Sequence, residues 1–363
     1  RYKPLFLALR SISGNRSFFN RLRKNAVRQH VPLKPLYLST VTSRIKHRLG
    51  VEDLLDQLRS ESIFRKIRLA QALKYRTDPG ENIVYRIRNG KGYVDNFEFR
   101  NTDEAKDALS IVFSSICKGL KVQGKTIYIP DSLELAVPAT EKQFVGNVPM
   151  GSFIRTSKDM VAGIHWNNVD RHRIDLDLSV MDIGGEKVGW DARYRSDSRN
   201  VLFSGDMTDA HGPKGASELF YIANHKFTGK LFTVNYFNHS DTIPVPFSII
   251  VAFSDYNPKQ LERNYTVDPN CILTVNKTVI SEKQQVIGLI SHKDGENRFY
   301  FVNTTMGNSR SVKKSKYISM AQQYLIDSLD SVISLREVLL GAGGNVVSSQ
   351  PSGEYVDLSL ESL

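Results

Sequence analysis

Five acidic residues in the middle of the chain are spaced so that their carboxylates could bind a metal ion. Asp175 and Asp177 flank Leu176, and alternate side chains of an extended strand point to the same face. These like charges repel unless a proton, a basic side chain or a cation neutralises them. Calcium prefers carboxylate and carbonyl oxygens, which Gly- and Asp-rich loops supply. The sequence therefore predicts a divalent-cation site with the ligands Asp175, Asp177, Asp206, Asp209 and Glu218, and with Asp191 and Asp197 as further oxygen donors.

Two other interpretations of these acidic residues stay open. In the first, the aspartates cap turns through their side-chain oxygens, and the counter-charge comes from Arg171, Arg173 or Lys214. In the second, the acids hold magnesium or manganese for phosphoester cleavage, and His172 or His211 carries a proton. The histidines show no His-x-x-x-His spacing, so a metal-dependent phosphoesterase is the less favoured interpretation.

The acidic residues lie in a region whose hydrophobic pattern is typical of β-strands. From Ala162 onward, short runs of alternating apolar residues are separated by Gly and Asp. Many short strands without long intervening helices favour an antiparallel β-sandwich, which we predict over residues 151–310. The predicted strands are Ile164–Trp166, Ile174–Met181, Gly189–Tyr194, Val201–Phe203, Leu219–Ile222, Leu231–Phe237, Phe247–Phe253, Val286–Ser291 and Phe299–Asn303.

The segment before this region, residues 51–150, has mixed helical and strand signals. Apolar residues in Val51–Tyr75 recur every three or four positions, which predicts one helix or two helices broken near Ser60. The pair Asn89-Gly90 predicts a two-residue hairpin turn. Asn101 followed by Glu104 predicts the start of a further helix. We therefore predict a small helical α+β region here.

The segment after the strands, residues 311–363, begins with a helical pattern. Apolar residues in Lys316–Leu340 recur at helical spacing, and glycines follow at the end. We predict a C-terminal helix and tail. The fold class predicted for the whole chain is α+β.

Several ordered blocks of the strand-rich region resemble the TerD family, which is named for tellurium resistance. The first blocks are Asp175-Leu176-Asp177-Leu178-Ser179, an aromatic strand and turn from Val188-Gly189-Trp190 to Asp197, and a Gly-Asp loop in Val201–Asp209. The later blocks are the strand pairs Lys230–Asp241 and Gln285–Asn303, the second with Lys293-Asp294-Gly295 at its turn. The resemblance runs from about Trp166 to Gly307, and Lys125–Pro149 is similar to the upstream segment of long bacterial TerD-containing proteins.

The resemblance implies a β-sandwich, calcium binding and membership in a bacterial stress-response or chemical-defence system, and it implies no known catalytic cycle. The acid-rich loop of the family is represented here by residues 212–218, which contain Lys214 and one terminal acid, Glu218. We therefore expect a non-catalytic interaction module. In this hypothesis a cation neutralises the acidic residues, orders the loops at Gly205 and Gly212–Gly215, and presents a surface to a protein partner whose identity the sequence leaves open.

The positive charge of the chain is concentrated at its N-terminal end. The net charge is +11, and residues 1–50 contain 12 of the 49 Lys and Arg residues but no Asp or Glu. A one-sided basic segment is typical of a surface that meets nucleic acid or another polyanion. The candidate contacts are Arg16, Arg21, Arg23, Lys24 and Arg28.

The basic segment supports two interpretations. One is a nucleic-acid-binding adaptor, in which these residues neutralise phosphates and bases stack on Tyr2, Phe6, Phe18 and Phe19. The other is the solvated side of short helices whose Phe18, Phe19 and Leu22 face inward. We keep the adaptor as the alternative to the cation-binding module.

Cysteine content and hydropathy indicate the cell compartment. The chain has 2 cysteines, Cys117 and Cys271, too few for a disulfide framework, so we expect a reducing cytoplasm. Its longest apolar stretch, near Ile243–Phe253, is shorter than the roughly 20 residues that cross a bilayer, so we expect no membrane span. The sequence begins at Arg1 without a signal peptide, and we expect a piece or processed product of a longer chain.

Overall fold

The computed structural model describes residues 3–29, 51–77, 82–88, 91–97, 100–140, 143–182, 185–227, 229–258, 260–263, 265–305 and 316–362. The chain divides into two compact units, Arg1–Leu49 and Gly50–Leu363. Among the described residues, no helix is both long enough and apolar enough to cross a membrane.

The described part of the first unit is helical. It consists of α1 (Lys3–Ile12) and α2 (Arg16–Gln29). Phe18 and Leu22 on α2 are exposed, while Phe19 is half-buried and meets Phe18 edge to face. The inward packing of Phe18 and Leu22 that a solvated helix would require is therefore wrong for these two residues.

The second unit begins with helices that pack on one another. They are α3 (Val51–Arg59), α4 (Ile63–Lys74) and α5 (Thr102–Cys117). The break predicted near Ser60 is confirmed, since α3 ends at Arg59 and α4 begins at Ile63. The apolar stripes of α3 and α4 both pack on α5 and are buried.

A β-hairpin lies between α4 and α5 in the chain. Its strands, β1 (Asn82–Arg88) and β2 (Lys91–Phe97), are antiparallel, with Arg88 opposite Lys91. This register leaves two residues for the turn, as the Asn89-Gly90 pair predicts. The two turn residues themselves lie outside the described part of the chain.

Most described strands belong to two antiparallel sheets. Within the described residues, one sheet has seven strands in the order β10-β9-β13-β16-β17-β7-β4. These strands are β4 (Leu133–Glu134), β7 (Phe153–Thr156), β9 (Leu176–Asp182), β10 (Lys187–Gly189), β13 (Lys230–Tyr236), β16 (Gln284–Lys293) and β17 (Glu296–Thr305). Pairing of β4 with β7 crosses residue 150, where the sequence predicted a domain boundary.

The second sheet has five strands among the described residues, in the order β11-β12-β8-β14-β15. They are β8 (Asp159–Trp166), β11 (Val201–Phe203), β12 (Ala216–Ile222), β14 (Val245–Ser254) and β15 (Ile272–Ile280). Both long neighbours of β8 pair with it from Met160 to Trp166, and β8 is the central strand.

The two sheets face each other across one hydrophobic core. Alternate residues of β8, among them Ala162, Ile164 and Trp166, share a buried cluster with Leu176 and Leu178 of β9. The outer faces carry separate apolar clusters, one of which packs on the C-terminal helix. The predicted α+β class, with an antiparallel sandwich between helical segments, is confirmed.

The C-terminal segment differs from the prediction. The single helix expected over Lys316–Leu340 is wrong: the structure has α6 (Lys316–Asp330) and α7 (Leu335–Gly341). Residues 332–334 leave the helical path because the amide of Val137 donates to Ile333 and the amide of Leu335 donates to Leu135. Ser334 then caps α7 by accepting from the Glu337 amide at 3.1 Å.

Short strands complete the described chain. In its C-terminal part, β18 (Asn345–Val347) and β19 (Val356–Asp357) pair in parallel with β3 (Thr126–Tyr128) on either side. The segments β5 (Phe144–Val145) and β6 (Val148–Pro149) form a small antiparallel pair.

Candidate metal centre

The first two acids of the candidate centre lie at the start of β9, an inner strand near one edge of the seven-stranded sheet. The exposed fractions of Asp175 and Asp177 are 5% and 3%. The side chains of Leu176 and Leu178 point into the core, so the two aspartates point to the other face of the strand. Asn235 lies directly opposite Asp177 on β13, and its Nδ2 donates to Asp177 Oδ2 at 2.9 Å.

The third acid comes from the loop that follows β11. Gly205 has a φ of +109°, which glycine adopts without strain, and the chain turns there to place Asp206 beside β9. Among the described residues, ligand atoms of Asp175, Asp177 and Asp206 all lie within 4.8 Å of one another. The start of β9 and the loop after β11, which are far apart in sequence, thus bring three carboxylates together.

Two oxygens of this cluster lack a protein partner. Asp175 Oδ1 and Asp206 Oδ1 are buried, and neither has a hydrogen-bond partner among the described residues. A buried polar atom without a partner is energetically unfavourable, and charged groups are the most unfavourable. A positive ion placed between these oxygens would remove that penalty.

Burial and mutual repulsion act on the same carboxyl groups. The pKa of Asp177 is raised to about 7, chiefly by desolvation; the hydrogen bond from Asn235 opposes the rise, and the negative charges of Asp175 and Asp206 add to it. Desolvation likewise raises the pKa of Asp175 to about 6, although the Arg173 guanidinium opposes the rise. Without a cation, these two groups therefore take up protons at a higher pH than ordinary aspartates do.

Glu218, a predicted ligand, uses both carboxylate oxygens for backbone contacts. It is 0% exposed and lies on β12 between the core residues Ala216 and Phe220, so it points between the sheets. Its Oε2 accepts from the Leu178 amide at 2.6 Å, and its Oε1 accepts from the Met207 amide at 2.8 Å. Burial raises the pKa of Glu218 well above its usual value. Glu218 therefore ties β9 and the Asp206 loop to the five-stranded sheet.

Asp209, another predicted ligand, lies at the surface and outside the cluster of three. Asn168 Nδ2 donates to its Oδ1 at 2.9 Å, and His211 Nδ1 lies 2.7 Å from its Oδ2. These hydrogen bonds, first from Asn168 and then from His211, lower the pKa of Asp209. The structure thus gives Asp209 two protein partners and keeps it exposed.

The further oxygen donors named from the sequence form ion pairs elsewhere. Asp191 contacts Lys187 at 2.6 Å, and Asp197 pairs with Arg193. Both aspartates are exposed on the segment between β10 and β11. The strand predicted over Gly189–Tyr194 is wrong, because β10 ends at Gly189 and the Ala192 amide closes a turn by donating to Gly189 at 3.2 Å.

The basic neighbours neutralise the cluster only in part. Arg173 Nη2 lies 3.5 Å from Asp175 Oδ2, and Arg173 Nε donates to the Thr208 carbonyl at 2.6 Å. In the described part of the chain, neither Arg171 nor Lys214 forms an ion pair with an acid of the cluster. Arg173 therefore links β9 to the Asp206 loop, and the cluster keeps an excess of negative charge.

Sequence reasoning missed the asparagines that surround the cluster. Asn235 contacts Asp177, and Asn238 Oδ1 accepts from the Asp175 amide at 3.1 Å while its Nδ2 donates to the Arg173 carbonyl at 2.6 Å. Both belong to β13 or the turn after it, and their position depends on the β9–β13 register. Local sequence carries no signal for that register, although the resemblance of Lys230–Asp241 to a family block marks the segment.

The basic residues proposed for polyanion binding all lie on α2. Arg21 and Lys24 have exposed side chains there. The side chains of Arg16, Arg23 and Arg28 lie outside the described part of the structure.

Comparisons with known proteins identify no relative of established function. No family model matches the chain, and no curated protein matches it. One solved structure, titled "Crystal structure of unknown function protein SAV2460", is 14% identical and covers 41% of this chain and 89% of its own, with a TM-score of 0.30. A likeness this weak supports no argument about function.

Proposed function

We propose that this protein is a non-catalytic interaction module that binds a divalent cation, calcium by preference, between Asp175, Asp177 and Asp206. The observation that carries the proposal is the convergence of these carboxylates within 4.8 Å, with buried oxygens of Asp175 and Asp206 that have no partner among the described residues. A proton can neutralise one carboxylate, whereas a divalent ion can neutralise two at once.

The chemistry of the cluster favours a hard cation. All the donors are oxygens, and no His or Cys belongs to the group. Calcium accepts carboxylate, amide carbonyl and water oxygens in flexible arrangements, whereas softer metals favour nitrogen and sulfur. Asn235 donates to the Asp177 carboxylate, and Asn238 accepts from the Asp175 amide. These two contacts hold the aspartates in position for such an ion.

Cation binding would connect strand β9 with the loop over residues 204–215. Hydrogen bonds already tie this loop to neighbouring elements, among them those of Met207 to Glu218, Thr208 to Arg173, and Ala210 to the Asn168 amide. A cation between Asp206 and the two aspartates of β9 would add the strongest link, because it replaces repulsion by attraction. The ordered loop is the surface that we propose for a protein partner.

The resemblance to the TerD family supports the biological part of the proposal. Calcium binding and a role in a bacterial, cytoplasmic stress-response or defence system are what that resemblance implies. The ordered blocks from Asp175 to Asp209 contain all three acids of the cluster. Residues 212–218 contain only one acidic residue, Glu218. The proposed centre is therefore limited to these three carboxylates, and Glu218 supports them through its backbone contacts.

Calcium titration by calorimetry tests the proposal. Wild-type protein, freed of metal with a chelator and dialysed, should bind calcium with measurable heat. Asp177→Asn should abolish or strongly weaken binding, because it removes a charge from the centre. Asp209→Asn is the matched control: it removes the same charge from the exposed neighbour of the cluster and should bind like wild type. Absence of calcium heat in wild type would contradict the proposal.

A second candidate function, polyanion binding, is favoured by the exposed Arg21 and Lys24 on α2 and by the absence of acids in residues 1–50. Its residues lie in the first compact unit, whereas the cation cluster lies in the second. The two functions are therefore separable by substitution.

A further inference from the structure

A cavity lined by arginines lies in the second unit, outside the acidic cluster. It has a volume of about 550 Å³. We call it the arginine cavity and define it by Arg193, Tyr194, Arg195, Arg199, Gln260 and Leu261. Its arginines come from the segment between β10 and β11, and Gln260 and Leu261 come from the segment between β14 and β15. The volume lies in the range of small-molecule sites.

The cavity has an excess of positive charge that the described residues do not neutralise. Of its three lining arginines, Arg193 pairs with Asp197, the one acid in the lining. Among the described residues, no acid pairs with Arg195 or Arg199, and no side-chain hydrogen bond engages their guanidinium groups. A planar guanidinium with free N–H donors is suited to bidentate contact with a phosphate group.

One part of the cavity wall is apolar, and it includes an exposed aromatic residue. Leu202, Phe203 and Leu261 are buried beneath it. The ring of Tyr194 is 45% exposed and meets Phe203 edge to face, with ring centroids 5.2 Å apart. Phe203 in turn stacks on Phe220 in the core at 4.8 Å. Tyr194 is thus a supported flat surface on which a second ring can stack.

Backbone hydrogen bonds fix the arginine segment. The Arg199 amide donates to Ser196 at 3.0 Å, and Arg199 has a φ of +58°. Ser196 Oγ accepts from the Val201 amide at 3.1 Å, and the Phe203 amide donates to Tyr194 at 2.8 Å. These bonds fix the backbone that carries Arg195 and Arg199, so little backbone freedom is lost when a ligand binds.

A further arginine lies next to the cavity. A Cβ placed on Gly205 would lie 3.1 Å from Arg263 Cγ and 3.6 Å from Tyr194 Cε2. Arg263 therefore borders the same ring as the lining residues, and no acid in the described chain pairs with it. The arginines around the Tyr194 ring therefore outnumber Asp197, the one acid in the cavity lining.

We propose that the arginine cavity binds a small phosphorylated ligand that carries a flat ring, of the nucleoside diphosphate class. Its phosphates contact Arg195 and Arg199, and its ring stacks on Tyr194. Two unpaired guanidinium groups match a ligand with more than one negative charge, and the supported tyrosine favours an aromatic ring over an aliphatic group. The proposal is independent of cation binding at Asp175, Asp177 and Asp206.

The test is calorimetry with two probes, adenosine diphosphate and inorganic pyrophosphate, in buffer with a chelator. Wild type should bind both, and it should bind the nucleotide more tightly because of the stacked ring. Arg195→Gln/Arg199→Gln should weaken both by about tenfold or more, since charge-assisted hydrogen bonds are lost. Tyr194→Leu should weaken the nucleotide about fivefold or more and leave pyrophosphate unchanged.

Lys118→Gln/Lys121→Gln is the matched control, because it removes the same charge from exposed positions outside the cavity. This control should bind both probes like wild type. If wild type binds neither probe, or if the arginine variant binds as tightly as wild type, the site is contradicted. Equal affinity for the two probes would overturn the assignment of the ring to Tyr194. Should the arginine variant fail to fold, Tyr194→Leu decides the outcome by its selective effect.

Discussion

The Asp177 carboxyl group is buried and close to other acids, which disfavours its charge, while one hydrogen bond favours that charge. The position of Asp177 on β9 is fixed by the core packing of Leu176 and Leu178, and its carboxyl group is thereby carried into a nearly dry environment beside two other acids. One hydrogen bond from Asn235 compensates only part of the burial penalty. The residue is therefore stabilised either by a proton or by a cation.

The first prediction concerns the stability of the metal-free protein as a function of pH. The folded-state pKa values of Asp175 (about 6) and Asp177 (about 7) lie above the ordinary value of 3.8, so their contribution to stability is complete below about pH 4 and is lost as the pH rises to about 8. In a chelator, urea denaturation should show a free energy of unfolding that falls across this range.

Asp177→Asn is the control for the pH prediction. This variant cannot ionise at position 177, so its free energy of unfolding should fall less steeply between about pH 5 and about pH 8. Each pKa unit corresponds to about 1.4 kcal/mol, so the difference in slope is measurable. A wild-type protein whose stability rises with pH over this interval would show that the two carboxyl groups are not the dominant titrating groups.

The second prediction concerns Glu218. Glu218→Gln replaces one accepting oxygen by an amide nitrogen that cannot accept from the Leu178 or Met207 amide. The substitution should lower the free energy of unfolding by about 1–3 kcal/mol, measured by urea denaturation. Glu262→Gln, at an exposed position, is the matched control and should change stability little. Equal stability of both variants would mean that the two backbone contacts of Glu218 are dispensable.

At the scale of elements, the site depends on the loop over residues 204–215 and on the strands that flank it. The loop leaves β11, carries Asp206, and returns through Gly215 into β12. A Cβ on Gly215 would lie 2.4 Å from the Trp166 carbonyl, and its φ of +66° also favours glycine. The conformation of the loop is therefore fixed where it enters β12. The position of its Asp206 side chain depends instead on how the charges of the cluster are neutralised.

The third prediction is that calcium orders this loop. Amide hydrogen exchange over residues 204–215 should slow when calcium is added to metal-free protein, because the ion links Asp206 to β9. Strand β15, at the far edge of the five-stranded sheet, is the internal reference and should exchange at an unchanged rate. Slowing in β15 equal to that in the loop, or no slowing in the loop, would contradict a local cation effect.

The sequence predicted the elements around the site better than their ends and partners. The alternation around Asp175 and Asp177 identified β9, because one strand face must enter the core. Strand β15 was not predicted. Its exposed residues Ile272, Val275 and Val279 are apolar, so apolar and polar residues do not alternate along it. The helix break before Ser334 depends on backbone hydrogen bonds with residues 135–137. The spacing of apolar residues within the segment carries no information about these distant partners.

The convergence of the acids was predictable only in part for a related reason. Strand geometry places Asp175 and Asp177 on one face without further information. The position of Asp206 depends on a glycine turn, and the roles of Glu218 and Asp209 depend on which sheet and which surface each reaches. Long-range register therefore decided which carboxylates join the cluster.

At the scale of the whole molecule, the two compact units differ in charge. Residues 1–50 hold 12 basic residues and no acids, which leaves 37 basic and 38 acidic residues in the remainder. The excess positive charge therefore lies in the first unit, whereas the three clustered aspartates and the arginine cavity belong to the second. This division lets each function be removed separately.

The fourth prediction concerns polyanion binding by the full chain. Affinity for a fluorescent single-stranded oligonucleotide, measured by anisotropy, should fall steeply as salt rises, and each lost phosphate contact should reduce the logarithmic slope by about 0.7. Arg21→Gln/Lys24→Gln should bind more weakly and with a smaller slope. Lys118→Gln/Lys121→Gln, with the same charge change in the second unit, should match wild type. Salt-independent or absent binding by wild type would dismiss the nucleic-acid alternative.

Crystallography with anomalous scattering locates a bound divalent cation without reference to its effects on stability or binding heat. In crystals grown with calcium, we expect an anomalous peak about 2.3–2.6 Å from carboxylate oxygens of Asp175, Asp177 and Asp206. Glu218 should keep its contacts to the Leu178 and Met207 amides. Calcium bound only at exposed acids such as Asp209, or no calcium at the three aspartates, would contradict the account.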